Sequence, residues 1–119
     1  MVEVIGAALE LKATGAGHRT IAVRLGRPPT TVRGWLRRFA ARAARVAGVF
    51  TSYLVTLVDD PAAVLPAPAG SAFADAVAAV LAATIAVRSR FVATAPMWRV
   101  ASAVSRGALL APGWPAPAR

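Results

Sequence analysis

The sequence has no cysteine. This removes disulfides, thiolate metal sites and thiol nucleophiles, and it fits a reducing cytosol. Acidic residues are scarce: five Asp and Glu stand against fourteen Lys and Arg in 119 residues. Five carboxylates are too few for the clustered acids that a two-metal nuclease needs. There is one histidine, His18, and one lysine, Lys12. No strand-like alternation, internal repeat or glycine-rich phosphate loop after a strand can be found. The longest apolar stretches, Ala43–Val58 and Ala76–Val87, are each short for a bilayer span, so no stable membrane insertion is expected. The opening Met1-Val2-Glu3-Val4 lacks the basic start of a signal peptide. No metal and no cofactor are expected, and the chain reads as a binding protein rather than an enzyme.

What is present in excess is positive charge. The net charge is +9 and the pI about 11.9. A balance this basic points to a polyanion, with nucleic acid first and an anionic membrane surface second. The charge is placed unevenly. Residues 1–45 carry Lys12, Arg19, Arg24, Arg27, Arg33, Arg37, Arg38, Arg42 and Arg45 against Glu3 and Glu10, a net of +7. Residues 46–119 carry five basic and three acidic side chains, a net of +2.

The fold class reads as all-α. Val2–Ala13 has helical spacing of Ile5, Ala8 and Leu9, and Thr14-Gly15-Ala16-Gly17 stops it. His18–Leu25 forms a second short helix, with Gly26 as its left-handed cap. Arg27-Pro28-Pro29 is a stiff connector, and proline suits the first turn of the helix that follows, near Thr30. That third helix has no obvious stop. Leu36, Phe39, Ala43, Val46, Phe50, Leu54 and Leu57 form a stripe to Asp59-Asp60-Pro61, as one long helix or two with a break near Gly48. Ser71 caps a fourth helix from Ala72 to about Val92, with Asp75 near its positive end. Thr94-Ala95-Pro96 starts a fifth, ending near Gly107. The expected organisation is a helix-turn-helix unit (1–45), a continuation helix (46–60), a Pro/Ala linker (61–70), an Ala-rich packing or dimerisation region (71–110) and a flexible tail (111–119).

The segment His18–Leu36, HRTIAVRLGRPPTTVRGWL, carries the informative pattern. Ile21, Leu25, Val32 and Trp35 fall at buried offsets, and Trp35 reads as the core anchor. Ala22 stands where two helices must touch, and Gly26 where the chain must turn. On these positions the segment resembles the homeodomain-like helix-turn-helix of bacterial transposases, resolvases and small actinobacterial regulators. The stretch LGRPPTTVRGWLRRF is especially similar to the transposase-associated versions. The resemblance covers about residues 2–45. It departs at Arg27, where an apolar residue is common, and at Pro28, where a Ser or Thr cap is commoner.

The resemblance implies double-stranded DNA as partner, with the helix starting at Thr30 in the major groove. Val32 and Trp35 then face inward. Arg27, Thr30, Thr31, Arg33, Gly34, Arg37, Arg38 and Arg42 are the candidate DNA-binding residues. Arg33 is the candidate for a guanine contact, and Thr30 and Thr31 for phosphate or a thymine methyl. Gly34 permits close approach, and Arg37, Arg38, Arg42 and Arg45 are phosphate contacts. The expected role is a small transcriptional regulator or a transposase-associated recognition protein, cytoplasmic and nucleoid-associated. The rival readings are a basic amphipathic membrane-surface protein and a structural helical module. The stripe from Val46 to Leu57 needs an apolar cover, either from the fourth helix of the same chain or from a second copy in a homodimer.

Overall fold

The computed structural model describes residues 1–60, 62, 64–91, 94–111, 114 and 115. Among these the regular structure is helical throughout: α1 (Val2–Ala13), α2 (His18–Leu25), α3 (Pro29–Ala40), α4 (Ala43–Leu57), α5 (Ala72–Phe91) and α6 (Met97–Val104). Local chemistry accounts for several boundaries. Glu3 lies in the first turn of α1 and Lys12 in its last, each at the favourable end of the helix dipole. Ser71 caps α5 by accepting the Ala74 N–H at 3.0 Å, and Asp75 sits in that helix's first turn.

The stripe from Leu36 to Leu57 is interrupted at Ala41-Arg42, not near Gly48. Neither residue is a helix breaker. The cause lies far away in the chain. Arg42 leaves helical geometry (φ −115°, ψ 2°) and donates through Nη1 to the carbonyls of Leu109 (3.0 Å), Ala111 (3.2 Å) and Trp114 (2.6 Å). Its Nε donates back to the Arg38 carbonyl at 3.1 Å. Arg45 donates to the Pro115 carbonyl. Trp114 also packs edge-on against Phe50. The segment expected to be a flexible tail is thus held at Ala111, Trp114 and Pro115, while residues 112, 113 and 116–119 lie outside the described part.

The stripe is covered from within the chain. Val46, Phe50 and Leu54 of α4 are buried, and α4 packs chiefly on α5, whose Ala76, Val77, Ala79, Val80 and Ala83 are buried in turn. Ala47 and Thr51 lie beside Asp75 and Ala79, and Leu54 and Leu57 beside Ala82, Ile85 and Ala86. The two helices therefore run parallel, and the crossover between them passes back along their sides. The alanines on the α5 side, Ala76, Ala79 and Ala83, let the axes approach closely around Phe50 and Leu54 of α4. By length and mean hydropathy α5 could cross a membrane. Here it packs against α1, α3, α4 and α6.

The front three helices share their core with the rest of the chain. Phe39 of α3 meets Phe73 of α5 edge-on at 5.0 Å. Trp98 of α6 is seated on Gly6 of α1, and its Nε1 donates to Glu10 at 2.8 Å. Arg99 pairs with Glu3 at 2.7 Å.

Candidate nucleic-acid interface

The turn between α2 and α3 is built from backbone constraints. Gly26 adopts φ 63°, ψ 38°, a left-handed geometry in which a side chain is strained. The next amide, Arg27 N–H, reaches back to the Ala22 carbonyl at 3.0 Å, closing the helix end. Pro28 is extended (φ −60°, ψ 138°), and Pro29 occupies the first helical position, where its missing donor costs nothing. Ile21, Ala22 and Val32 are buried where α2 and α3 cross.

The inward face of α3 is Val32, Leu36 and Phe39. Trp35 is only half-buried, at the edge of the core beside Ile5, Arg38, Arg42 and Leu110. Leu25 is half-buried too. The anchor of this helix is therefore Phe39, 1% exposed, rather than Trp35. The reason is Phe73: α5 presents an aromatic ring to α3, and the helix turns its Leu36–Phe39 side toward it.

That orientation leaves the other side of α3 open. Thr30, Thr31, Arg33, Arg37 and Arg38 are exposed, and Gly34 is half-exposed. The guanidinium of Arg38 folds back over Gly34, its Nη1 3.2 Å from where a Cβ would stand. Arg27 is half-buried in the turn. Arg33 and Arg37 share the wall of a groove of about 250 Å³ with Lys12, Gly17 and His18, floored by Leu36, Ala40 and Phe73. Three helices thus bring four cationic or titratable side chains to one place. The N-terminal end of α2 opens there with no side-chain cap.

Arg42 does not join this surface. It is 5% exposed, and its donors are taken up by carbonyls. Burial, then the charges of Arg45 and Arg38, push its guanidinium below its usual pKa. The sequence position alone suggested an outward arginine one or two turns beyond Arg38. Lys12 and His18 were the residues that sequence reasoning passed over. Their signal was positional: they flank a four-residue turn that returns the chain on itself.

Residues 3–48 match the model of the homeodomain-like domain. That segment, running from α1 into the first turns of α4, is a homeodomain-like helix-turn-helix domain. Comparison with curated proteins and with solved structures finds no match.

Proposed function

We propose that the homeodomain-like domain of residues 3–48 binds double-stranded DNA, with α3 as the recognition helix in the major groove. One observation carries this reading. The face of α3 opposite its buried Val32–Leu36–Phe39 side is polar and cationic, with Thr30, Thr31, Arg33, Arg37 and Arg38 all exposed. Arg33 and Arg37, joined by Lys12 and His18, form the part of this surface best placed for phosphate and base edges.

The chain acts by recognition rather than catalysis, as a small transcriptional regulator or as the recognition part of a transposase-type system. Three of its five acids are engaged in holding the fold: Glu3 with Arg99, Glu10 with Trp98, and Asp75 with the Ala69 amide. The membrane-surface reading is weakened by packing, because the apolar stripe of Leu36, Phe39, Val46, Phe50 and Leu54 is buried against the chain's own helices. The test is selection from a random duplex pool followed by anisotropy titrations at several salt concentrations. An enriched sequence and a steep fall of affinity with salt are expected. Binding that ignores salt, or preference for anionic vesicles over duplex, overturns the proposal.

A further inference from the structure

Lys12, His18, Arg33 and Arg37 line one groove of about 250 Å³, and no carboxylate lines it with them. Lys12 comes from the last turn of α1, His18 from the start of α2, and the two arginines from α3. From α5 comes only Phe73, which is uncharged and shares the floor with Leu36 and Ala40. Among the described residues none of the four is in an ion pair. Arg42, Arg45, Arg90 and Arg99 are different, since each donates to another group of the chain. Like charges gathered over an apolar floor focus a positive field, and an anion relieves their repulsion. Lysine and arginine side chains stay cationic through the neutral range, whereas histidine changes its charge there. His18 is the one histidine of the chain, so no second imidazole can produce the same effect.

We propose that this groove seats one phosphodiester of the duplex backbone, and that its occupation draws a proton onto His18. The inference rests on the reading that the domain binds duplex DNA, and it adds which contact ties that binding to pH. Lys12, His18 and Arg37 supply the phosphate contacts. Arg33, one turn nearer the start of α3, stays available for a base edge. A neutral imidazole donates through one nitrogen, whereas an imidazolium donates through both and adds a charge. The phosphodiester keeps its single negative charge across the neutral range, so the change of charge belongs to the protein. The phosphate binds the protonated form better, and by linkage the complex takes up a proton from solvent as it forms. Affinity for duplex therefore rises as pH falls through the range in which histidine titrates.

The experiment is fluorescence anisotropy of the full chain on a duplex of mixed sequence at pH 6 and pH 8, at several salt concentrations, with helical circular dichroism recorded at each pH. Affinity should rise by about tenfold from pH 8 to pH 6. The slope of log affinity against log salt should steepen by about 0.9, the value for one more cation on the backbone. His18→Gln should bind at both pH values as the parent chain does at pH 8. His18→Lys, cationic throughout, should bind at pH 8 about as tightly as the parent does at pH 6. Vesicles of phosphatidylglycerol and phosphatidylcholine replace the duplex in a parallel titration. Duplex binding that is equal at the two pH values, or a pH dependence that survives in His18→Gln, overturns this inference and leaves the DNA reading standing. A His18-dependent profile on the vesicles but not on duplex assigns the groove to a lipid phosphate and overturns the inference too. An absence of duplex binding at either pH overturns the DNA reading itself, and this inference with it.

Discussion

Trp98 rests its indole against the backbone of α1 at Gly6, where a methyl group would overlap the ring. The contact joins residues 92 positions apart and explains why a glycine stands inside an otherwise good helix. With the Trp98–Glu10 hydrogen bond and the Arg99–Glu3 pair, it fixes α1 to α6. The first helix of the homeodomain-like domain is thus held from both sides, by α2 and α3 in front and by α5 and α6 behind.

Gly6→Ala should therefore destabilise the whole chain. Overpacking of this kind costs about 1–3 kcal/mol, a fall in melting temperature on the order of 10 °C at this size. Gly48→Ala is the opposite case. Gly48 is exposed inside α4, with open space where a Cβ would go. That substitution should stabilise by about 0.5–1 kcal/mol. Thermal unfolding of the two variants checks both signs, and equal effects would contradict the Trp98 contact.

Phe39 and Trp35 should separate in urea unfolding. Phe39 is in the core against Phe73, and Phe39→Ala should cost about 3–5 kcal/mol. Trp35 keeps part of its ring in water, so Trp35→Ala should cost clearly less. The reverse order would place Trp35 at the centre of the domain.

Arg42 should matter to folding and not to DNA. Arg42→Met leaves the buried Leu109 carbonyl and the part-buried Trp114 carbonyl without their donor, and an unmet buried group costs about 1–3 kcal/mol. Amide hydrogen exchange should speed up around Leu109 and Trp114. Arg42→Lys should not restore protection, because an ammonium lacks the fork that reaches several acceptors at once. Where Arg42→Met still folds, the salt dependence of DNA binding should be unchanged.

Arg33 and Arg38 should differ on DNA. Arg33→Ala should relax preference at one base pair by about 1–3 kcal/mol. Arg38→Ala should weaken all sequences alike and reduce the salt slope by about 1. Anisotropy on the selected duplex and on a scrambled one distinguishes them. Equal losses on both duplexes for Arg33→Ala make it another phosphate contact.

The Glu3 carboxyl is held below its usual pKa, first by its backbone hydrogen bond and then by the Arg99 guanidinium. A carboxyl with a depressed folded-state pKa contributes stability above the ordinary value of 4.5 and loses it as pH falls through the folded one. In Arg99→Gln, the Glu3 midpoint followed by NMR should move up toward the ordinary value without reaching it, since the backbone donor stays. An unmoved midpoint would show that Arg99 contributes nothing.

Local chemistry was enough to make the helix-turn-helix legible from residues alone. Gly26 is needed for its left-handed turn, Pro29 suits a helix start, and Ile21 and Ala22 on α2 and Val32 on α3 stand at buried offsets; outside that unit, Ser71 caps α5 in the same local way. Each of these depends on neighbours within about five residues. The rest was decided by contacts between distant parts of the chain. The break at Arg42 depends on carbonyls 67 to 72 residues away, and no glycine or proline announces it. The roll of α3 toward Leu36 and Phe39 depends on where α5 places Phe73. The parallel course of α4 and α5 was hidden because an apolar face on α5 says that the helix packs, not in which direction, and alanine on so many of its sides leaves its roll open, so that Val77 and Val80 are buried while Ile85 is exposed. Lys12 and His18 join Arg33 and Arg37 only when three helices are assembled. Short-range conformational preference is written into the order of residues, whereas the direction in which an alanine-rich helix packs is settled by the few large side chains that find one another in the folded chain.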